Sequence, residues 1–458
     1  MTAFTSLALP APLQQALDTL GFETTTPVQA QALPPMLEGR DVIAQAKTGS
    51  GKTVAFGLAL LARIDAAQPG LQALVLCPTR ELADQVSKEI RRLARFVPNL
   101  KLSTLCGGVP LRVQASSLTH APHVAVGTPG RLQEHLDAGN LDVSGLRVLV
   151  LDEADRMLDM GFSDAVNAIV ATIPKTRQTL LFSATYPDEI RAVSRAVQRE
   201  PVEVTVDAAA DDVEIAQRAY DAEPAQKLDA LAWVLGQHKP ESAMVFCNTR
   251  RDTQDLAAEL DARGWSVLAL HGDLEQRDRD EVLVRFANRS CSILVATDVA
   301  ARGIDVRELA AVVNYDVPSD ADAYIHRIGR TGRAGRGGLA ITLVAAQDAA
   351  RVAVIEERLG KPLRREAAKL APGRLRTGAL APMVTLVIDG GRKDKMRPTD
   401  ILGALTGSAG LAGTSVGKID IFDVRAYVAI ERPLADKAIE RLRSGKIKGR
   451  SFRVRKLV

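Results

Sequence analysis

The chain is poor in cysteine, with four in 458 residues, at positions 77, 106, 247 and 291. They lie far apart and form no C-x-x-C pair, which argues against a disulfide framework or a thiolate zinc site and fits a reducing cytoplasm. No uninterrupted apolar run approaches the roughly 20 residues that a membrane helix needs, so no membrane association is expected. The first residues, MTAFTSLALPAPLQQALDTLGF, lack a basic start and contain Pro10, Pro12 and Asp18. Neither a secretory signal nor a transit peptide is expected there. The six histidines are dispersed; His120 and His123 have no further metal ligands nearby and read as loop or surface residues. Trp233 and Trp265 read as core. The remaining composition, 46% hydrophobic and 25% charged, is that of an ordinary globular chain, long enough for roughly two to four domains.

The net charge of +4 is unevenly spread. Residues 384–458 hold seven Lys and nine Arg against eight acidic residues, a local charge of +8, so the rest of the chain carries −4. Such an asymmetry points to nucleic-acid contact by an appended module. Within residues 40–206, short apolar runs alternate with helical patterns. DVIAQA, ALVLCPT, VAVGTP, VLVLDEAD and TLLFSAT read as buried strands, and RELADQVSKEIRRLARF has helical spacing. Residues 207–224, acid- and alanine-rich without a strong period, read as a linker. The alternation restarts with SAMVFCNT, SVLALHG, SILVATD and LAAVVNYDVP, and a second polar stretch, 364–382, sets off the C-terminal piece. That piece reads strand–helix–strand–strand–helix–strand, the ferredoxin-like order that RNA-recognition modules also use. The expected architecture is α/β: two tandem RecA-like parallel-sheet domains, 1–206 and 213–363, and an RRM-like βαββαβ domain, 384–458.

Chemistry enters at Ala46, Lys47, Thr48, Gly49, Ser50, Gly51, Lys52 and Thr53, a phosphate-binding loop between a strand and a helical pattern. Small residues let backbone N–H groups wrap phosphates at a helix N-terminus. Lys52 reaches the terminal phosphates, and the Thr53 hydroxyl can ligate Mg²⁺. The first position is Ala46, where the loose pattern asks for Gly. Four apolar residues, 148–151, then deliver Asp152 and Glu153 to the C-terminal end of a strand, where open α/β sheets place their ligands. Asp152 suits the Mg²⁺ shell, and Glu153 can orient or deprotonate an attacking water. The second lobe has no such loop and is not expected to bind a second nucleotide.

Through these motifs residues 4–340 resemble a DEAD-box ATP-dependent RNA helicase. The segment Gly21-Phe22-Glu23-Thr24-Thr25-Thr26-Pro27-Val28-Gln29, with an isolated Phe4 upstream, is similar to the family's adenine-reading motif, which implies that Phe22 stacks on the base and Gln29 reads its edge. Pro78-Thr79-Arg80-Glu81-Leu82, Gly107-Gly108 and Thr128-Pro129-Gly130-Arg131 resemble segments that grip the RNA backbone. Arg80, Gly108, Thr128 and Arg131 are therefore implied as RNA contacts, with Asn248 and Thr297 from the second lobe. Ser183-Ala184-Thr185 resembles the family's coupling motif, with Asp155 as its partner. In the second lobe, the resemblance implies that Arg330 and Arg333 act as arginine fingers, that Asp305 holds the ribose and that His326 joins the coupling network. The sequence Gly329–Gly338 could by itself equally be a basic Gly/Arg loop. Gln276 and Arg279 fit either an RNA-contact pattern or a solvated helix face.

The implied activity is ATP hydrolysis stimulated by RNA and local unwinding of short duplexes, with ATP and Mg²⁺ as cofactors. A DNA-directed motor and a non-catalytic RNA-binding scaffold are the alternatives. The first is distinguished by RNA-specific stimulation; the second is opposed by the intact Lys52, Asp152, Glu153, Arg330 and Arg333.

In the third strand of the C-terminal piece Tyr427 is the one aromatic, so base stacking on the sheet face is not expected. Arg392, Lys393, Lys395, Arg397, Lys446, Lys448, Arg453 and Arg455 are the candidate RNA contacts instead. GRKDKMRPTDILGALTG and GKIKGRSFRVR resemble the RNA-binding domain of DbpA-type helicases, which implies a hairpin of 23S ribosomal RNA as target and precursors of the large ribosomal subunit as partners, in the cytoplasm. A monomer is expected.

Overall fold

Segments such as Val148–Leu151, buried at every position, can only be strands covered on both faces. The computed structural model describes residues 2–46, 49–206, 215–301, 309–332, 337–368, 378–407 and 410–457. In the first lobe seven strands form one sheet: β1 (Val42–Gln45), β2 (Ala73–Leu76), β3 (Leu102–Leu105), β4 (Val124–Gly127), β5 (Val148–Leu151), β6 (Gln178–Ser183) and β7 (Val202–Thr205). Their order is β3-β4-β2-β5-β6-β1-β7, and every pairing is parallel. Strand alternation divides the core: Val148 and Val150 pack with Phe56 and Phe182 on one face, and Leu149 and Leu151 with Leu132 and Ile169 on the other.

The second lobe repeats the plan with β8 (Ile215–Asp221), β9 (Ala243–Phe246), β10 (Val267–Leu270), β11 (Ile293–Ala296), β12 (Ala311–Asn314), β13 (Gly338–Val344) and β14 (Arg365–Ala367). The order is β10-β11-β9-β12-β13-β8-β14, again all parallel. The third element is a four-stranded antiparallel sheet of β15 (Met383–Ile388), β16 (Val416–Ile421), β17 (Ala426–Glu431) and β18 (Val454–Lys456), ordered β16-β17-β15-β18. Two helices, Pro398–Thr406 and Ala435–Ser444, close one of its faces. The expected fold class holds throughout.

Three expectations fail in detail. Residues 215–221, read as linker, form β8, which runs beside β13 over seven consecutive residue pairs. The polar stretch from 364 likewise contributes β14, which extends the same sheet. The segment IAQRAYD hides its character because its apolar residues are few, but Ala219 and Tyr220 are buried and Tyr220 meets Trp233 edge to face at 5.2 Å. His123 is buried rather than exposed, and its Nδ1 accepts the Lys101 backbone N–H at 2.9 Å.

Replacing Tyr220 by Ala should cost about 3–5 kcal/mol of stability, the usual range for deleting a buried aromatic ring. Denaturant unfolding measures it, and a cost near zero would restore the linker reading.

Candidate active site and RNA-facing residues

In a parallel sheet the loops that leave the carboxyl ends of the strands share one edge. The phosphate-loop residues follow β1, Asp152 and Glu153 follow β5, and Ser183–Thr185 end β6. The RNA candidates Arg80, Gly108, Thr128 and Arg131 follow β2, β3 and β4. Nucleotide and RNA candidates thus occupy two halves of one edge.

At the phosphate loop, Gly49 and Gly51 have φ of 89° and 94°, left-handed values that disfavour any side chain. A Cβ on Gly51 would also stand 2.5 Å from Gln29 Nε2. Gln29 earns that closeness by anchoring: its Nε2 donates to Gly51 O at 3.1 Å, and its Oε1 accepts the Thr26 N–H at 2.8 Å. Thr26 Oγ1 donates to Ser50 O at 2.8 Å. The segment of Thr26 and Gln29 and the phosphate loop are one hydrogen-bonded unit. Phe22 is half-buried and lies 6.3 Å from Phe4, which is sealed in the core; of the two rings, Phe22 is the one that keeps exposed surface. Ser50 and Thr53 are likewise half-buried. Lys47 and Thr48 lie outside the described residues.

Lys52 is buried and its Nζ donates to Ala46 O at 2.7 Å. Burial pushes the neighbouring Asp152 carboxyl up to about 7, against the opposing pull of Lys52. Glu153, also buried, starts the Ala154–Asp159 helix at φ 51° and ion-pairs with Arg156 at 3.4 Å. Among the described residues no cluster of three or more His, Cys, Asp or Glu could hold a metal by itself. A hydroxyl at Thr53 and a carboxylate at Asp152 are nevertheless hard oxygen donors of the kind Mg²⁺ takes when substrate phosphates and waters complete its shell. The residues fit that ion.

Asp155 joins this site to its neighbour. Its Oδ2 accepts from Ala184 N–H at 3.1 Å, Thr185 N–H at 2.9 Å and Thr185 Oγ1 at 3.1 Å. Its own N–H donates to Ser183 Oγ at 3.3 Å, and Ser183 O accepts the Ala46 N–H at 3.0 Å. The sequence-predicted coupling residues are therefore brought together and tied to the phosphate loop.

Two organising residues of the half that carries the RNA candidates went unrecognised in the sequence. Gln114 is buried; its Oε1 meets Arg131 Nη1 at 2.8 Å and His135 Nε2 at 3.0 Å, while its Nε2 donates to Cys106 O. His135 is fully buried, and desolvation holds its pKa below the ordinary imidazole value. Arg131 also donates to Val109 O at 2.6 Å. The loops after β3 and β4 are thereby braced from inside. Gly107 leaves room for Arg80, whose Nη2 would lie 2.7 Å from a Cβ there.

The second lobe centres on Arg327, which is 1% exposed. Its guanidinium binds Asp298 bidentately at 2.7 Å, Asn248 Oδ1 at 2.9 Å, Asp316 O at 2.7 Å and Asn314 Oδ1 at 3.3 Å, over the Phe246 ring. Asn248 and Asp298, which follows Thr297, are thus held by the helix Ala321–Ile328 that also carries His326. Arg330, just beyond that helix, is buried, and Thr297 is buried. Asp305 and Arg333 lie outside the described residues. The neighbours of the RNA and nucleotide candidates could be found only by asking what a buried arginine must bind.

In the C-terminal module, Lys448 Nζ donates to Lys395 O at 2.9 Å. Arg392, Lys393, Lys395, Arg397, Lys446 and Lys448 are exposed and stand on loops that this contact joins. Arg453, also exposed, neighbours them through its carbonyl, which accepts Asp389 N–H at 3.0 Å. Arg455 is separate: it pairs with Val387 on the sheet and is half-buried.

A phosphate loop in one parallel-sheet lobe, followed along the chain by a second such lobe and a basic module, defines a nucleic-acid-dependent ATP-hydrolysing motor. Residues 26–193 match the DEAD/DEAH box helicase family, residues 226–335 the helicase conserved C-terminal domain, and residues 385–456 the DbpA RNA binding domain. Over the full length of both proteins the sequence is 52% identical to the ATP-dependent RNA helicase DbpA of Escherichia coli K12. It is 42% identical to the DEAD-box ATP-dependent RNA helicase CshA of Geobacillus kaustophilus, over 80% of this chain and 78% of that one. Among solved structures, S. cerevisiae Dbp5 bound to RNA and ADP BeF3 superposes with a TM-score of 0.73 at 30% identity, covering 81% of this chain and 96% of that one. The chain belongs to the DEAD-box ATP-dependent RNA helicases, of the DbpA type. It is an ATP-hydrolysing enzyme that acts on RNA and carries a dedicated RNA-binding domain.

Without nucleotide, the folded state keeps a proton on Asp152 that the unfolded chain releases in the ordinary carboxylate range. Stability should therefore fall as the pH rises from that range to about 7 and level off above. Thermal melting in EDTA measures the slope, which Asp152→Asn should flatten. Arg327→Lys, which cannot reproduce the planar fork, should cost about 2–4 kcal/mol in denaturant unfolding, as buried partners lose their bonds. RNA-stimulated ATP hydrolysis should fall with it.

Proposed function

We propose that this helicase acts on precursors of the large ribosomal subunit, recruited by a hairpin of 23S ribosomal RNA. The observation that carries this reading is the paired basic loops of the module, around Lys395 and Lys448, within a domain whose family match covers residues 385–456. Phosphate-rich contact by exposed Lys and Arg positions an RNA without reading bases, so the module supplies the address and the lobes do the work. The reading includes a monomer in the cytoplasm.

In the reaction, phosphate-loop N–H groups and Lys52 hold the ATP phosphates, Phe22 and Gln29 hold the base, and Glu153 orients or deprotonates the attacking water. Thr53 and Asp152 would hold Mg²⁺, whose charge would offset that of the phosphates. Arg330 and Arg333 stabilise charge on the transferring phosphoryl group, an effect worth about 10³–10⁵ in rate for arginine fingers in general. Asp305 holds the ribose, and His326 with Asp155, Ser183 and Thr185 relays the state of the nucleotide to the RNA contacts Arg80, Gly108, Thr128, Arg131, Asn248 and Thr297. Because RNA and ATP are held by residues of both lobes, each ligand strengthens binding of the other, by about 1–3 kcal/mol in typical coupled systems.

The test is RNA-dependent ATPase measurement with ribosomal fragments that contain or lack the hairpin. The hairpin fragment should reach half-maximal rate at an RNA concentration about 10²-fold lower, the scale expected when a second binding contact is linked to the first. Equal requirements would remove the 23S target. Glu153→Gln should bind ATP and the hairpin while losing turnover, and retained turnover would remove the role given to Glu153.

A further inference from the structure

Between Glu89 and Glu134 the chain carries no acidic residue, over 44 positions in which its overall acidic content, 55 in 458, would place about five. The same stretch holds six basic residues, Arg91, Arg92, Arg95, Lys101, Arg112 and Arg131. Arg131 braces the loops of the RNA candidates. Arg91 and Arg92 lie in the last turn of the helix Arg80–Leu93, where cations meet the helix dipole favourably. Neither reason covers Lys101 or the lack of acids.

This stretch folds onto β3, the outermost strand of the first sheet, with β4 and β2 beside it and the strands of the nucleotide residues beyond. Against the amino half of β3 lies a cavity of about 470 Å³, a volume that holds a small ligand. Val97, Leu100 and Leu102 make the apolar part of its wall. They are half-buried and packed against the core, so that surface exists before any ligand arrives. Arg91, Lys101, Ser117 and His120, all exposed, make the polar part. Among the described residues that line the cavity none is acidic. Arg91 Nη2 donates to Leu102 O at 3.2 Å, which holds the guanidinium at the start of β3. Lys101 N–H donates to Nδ1 of the buried His123 at 2.9 Å, and Lys101 O accepts the His123 N–H at 2.9 Å. The main chain that carries the lysine is clamped on both sides.

A wall cationic in one part and aliphatic in another suits a nucleotide, whose phosphate meets guanidinium and ammonium while its base covers apolar carbon. From Ser103 to Cys106 an extended strand advances about 10 Å, and Gly107 and Gly108 follow at once. The cavity therefore lies about one strand length from the loops of Gly108 and Arg131. It also shares a helix with their brace: Leu111–Leu118 carries Gln114, and Ser117 Oγ donates to Gln114 O at 2.7 Å.

We propose that this cavity is a further RNA-binding site in the first lobe. It seats one unpaired nucleotide of the strand that leaves the Gly108 and Arg131 loops, with the phosphate on Arg91 and Lys101 and the base against Val97 and Leu100. The proposal rests on the RNA path given above and is independent of the 23S target. Contacts to phosphate and aliphatic carbon tolerate any base, so the seat holds a separated strand whatever its sequence and delays re-pairing.

The full-length protein with a non-hydrolysable ATP analogue should bind a uridine oligomer of about sixteen nucleotides more tightly than one of about six, which fills the loops alone. A gain of about tenfold is expected of a linked second contact. Arg91→Gln with Lys101→Gln should remove most of that gain and leave the short oligomer within about twofold. It should also flatten log K against log salt for the long oligomer by about 1.4, from about 0.7 for each phosphate contact on a single strand. Ser117→Trp, which fills the cavity and keeps its charges, should remove the gain as well. All three positions are exposed, so the variants should melt as the parent does. A long oligomer that gains nothing overturns the proposal, and binding of uridine monophosphate in that case gives the cavity to a free nucleotide. A gain that survives Ser117→Trp overturns it too, since the cavity is then not the seat. Arg80→Ala should weaken both oligomers alike. If it weakens neither, the path through the gripping loops fails and the contact at the cavity stands by itself.

Discussion

The chemistry of this protein depends on strand direction. Because all seven strands of each lobe run parallel, every loop that leaves a carboxyl end arrives at the same edge, and residues as distant in sequence as Lys52, Asp152 and Ser183 gather there. An antiparallel sheet would deal half of them to the opposite edge. Strand order then sorts the edge, with nucleotide residues around β1, β5 and β6 and RNA candidates around β2, β3 and β4. The two sets of candidates are loops of one sheet.

Within that frame, loops are shaped by buried polar side chains more than by surface pairs. Gln29 bonds the phosphate loop, Asp155 gathers three donors from Ala184 and Thr185, Gln114 braces Arg131, and Arg327 collects Asn248 and Asp298. Each is nearly inaccessible to water, so each lost bond is a buried group left unpaired, and the arrangement is stiff. By comparison the many exposed ion pairs, such as Lys88 with Asp84, contribute little to geometry.

How much of this could be read in advance followed from the range of the forces involved. Runs such as VLVLDEAD announce a strand end with carboxylates because burial on both faces demands unbroken apolar character, and the phosphate loop announces itself because small residues and one lysine are required close together. β8 and β14 gave no such signal. IAQRAYD has only scattered apolar positions, and its place in the sheet comes from β13, over a hundred residues away. Gln114, His135 and Arg327 were equally silent, since a buried polar residue looks like a surface one until its partners are known. The scarcity of aromatics beside Tyr427 was legible, but the packing of Val284 from a distant helix in one apolar cluster with that residue was not.

The sequence by itself determined the two tandem parallel-sheet lobes, the ferredoxin-like module, the phosphate site and the membership of a helicase family, because local patterning and contiguous motifs encode these. Only the tertiary structure decided where β8 goes, which buried side chains hold the loops, and that Val284 packs with Val387 and Tyr427. Those outcomes depend on complementary surfaces from segments far apart in the chain, and no spacing along one segment records the shape of the other.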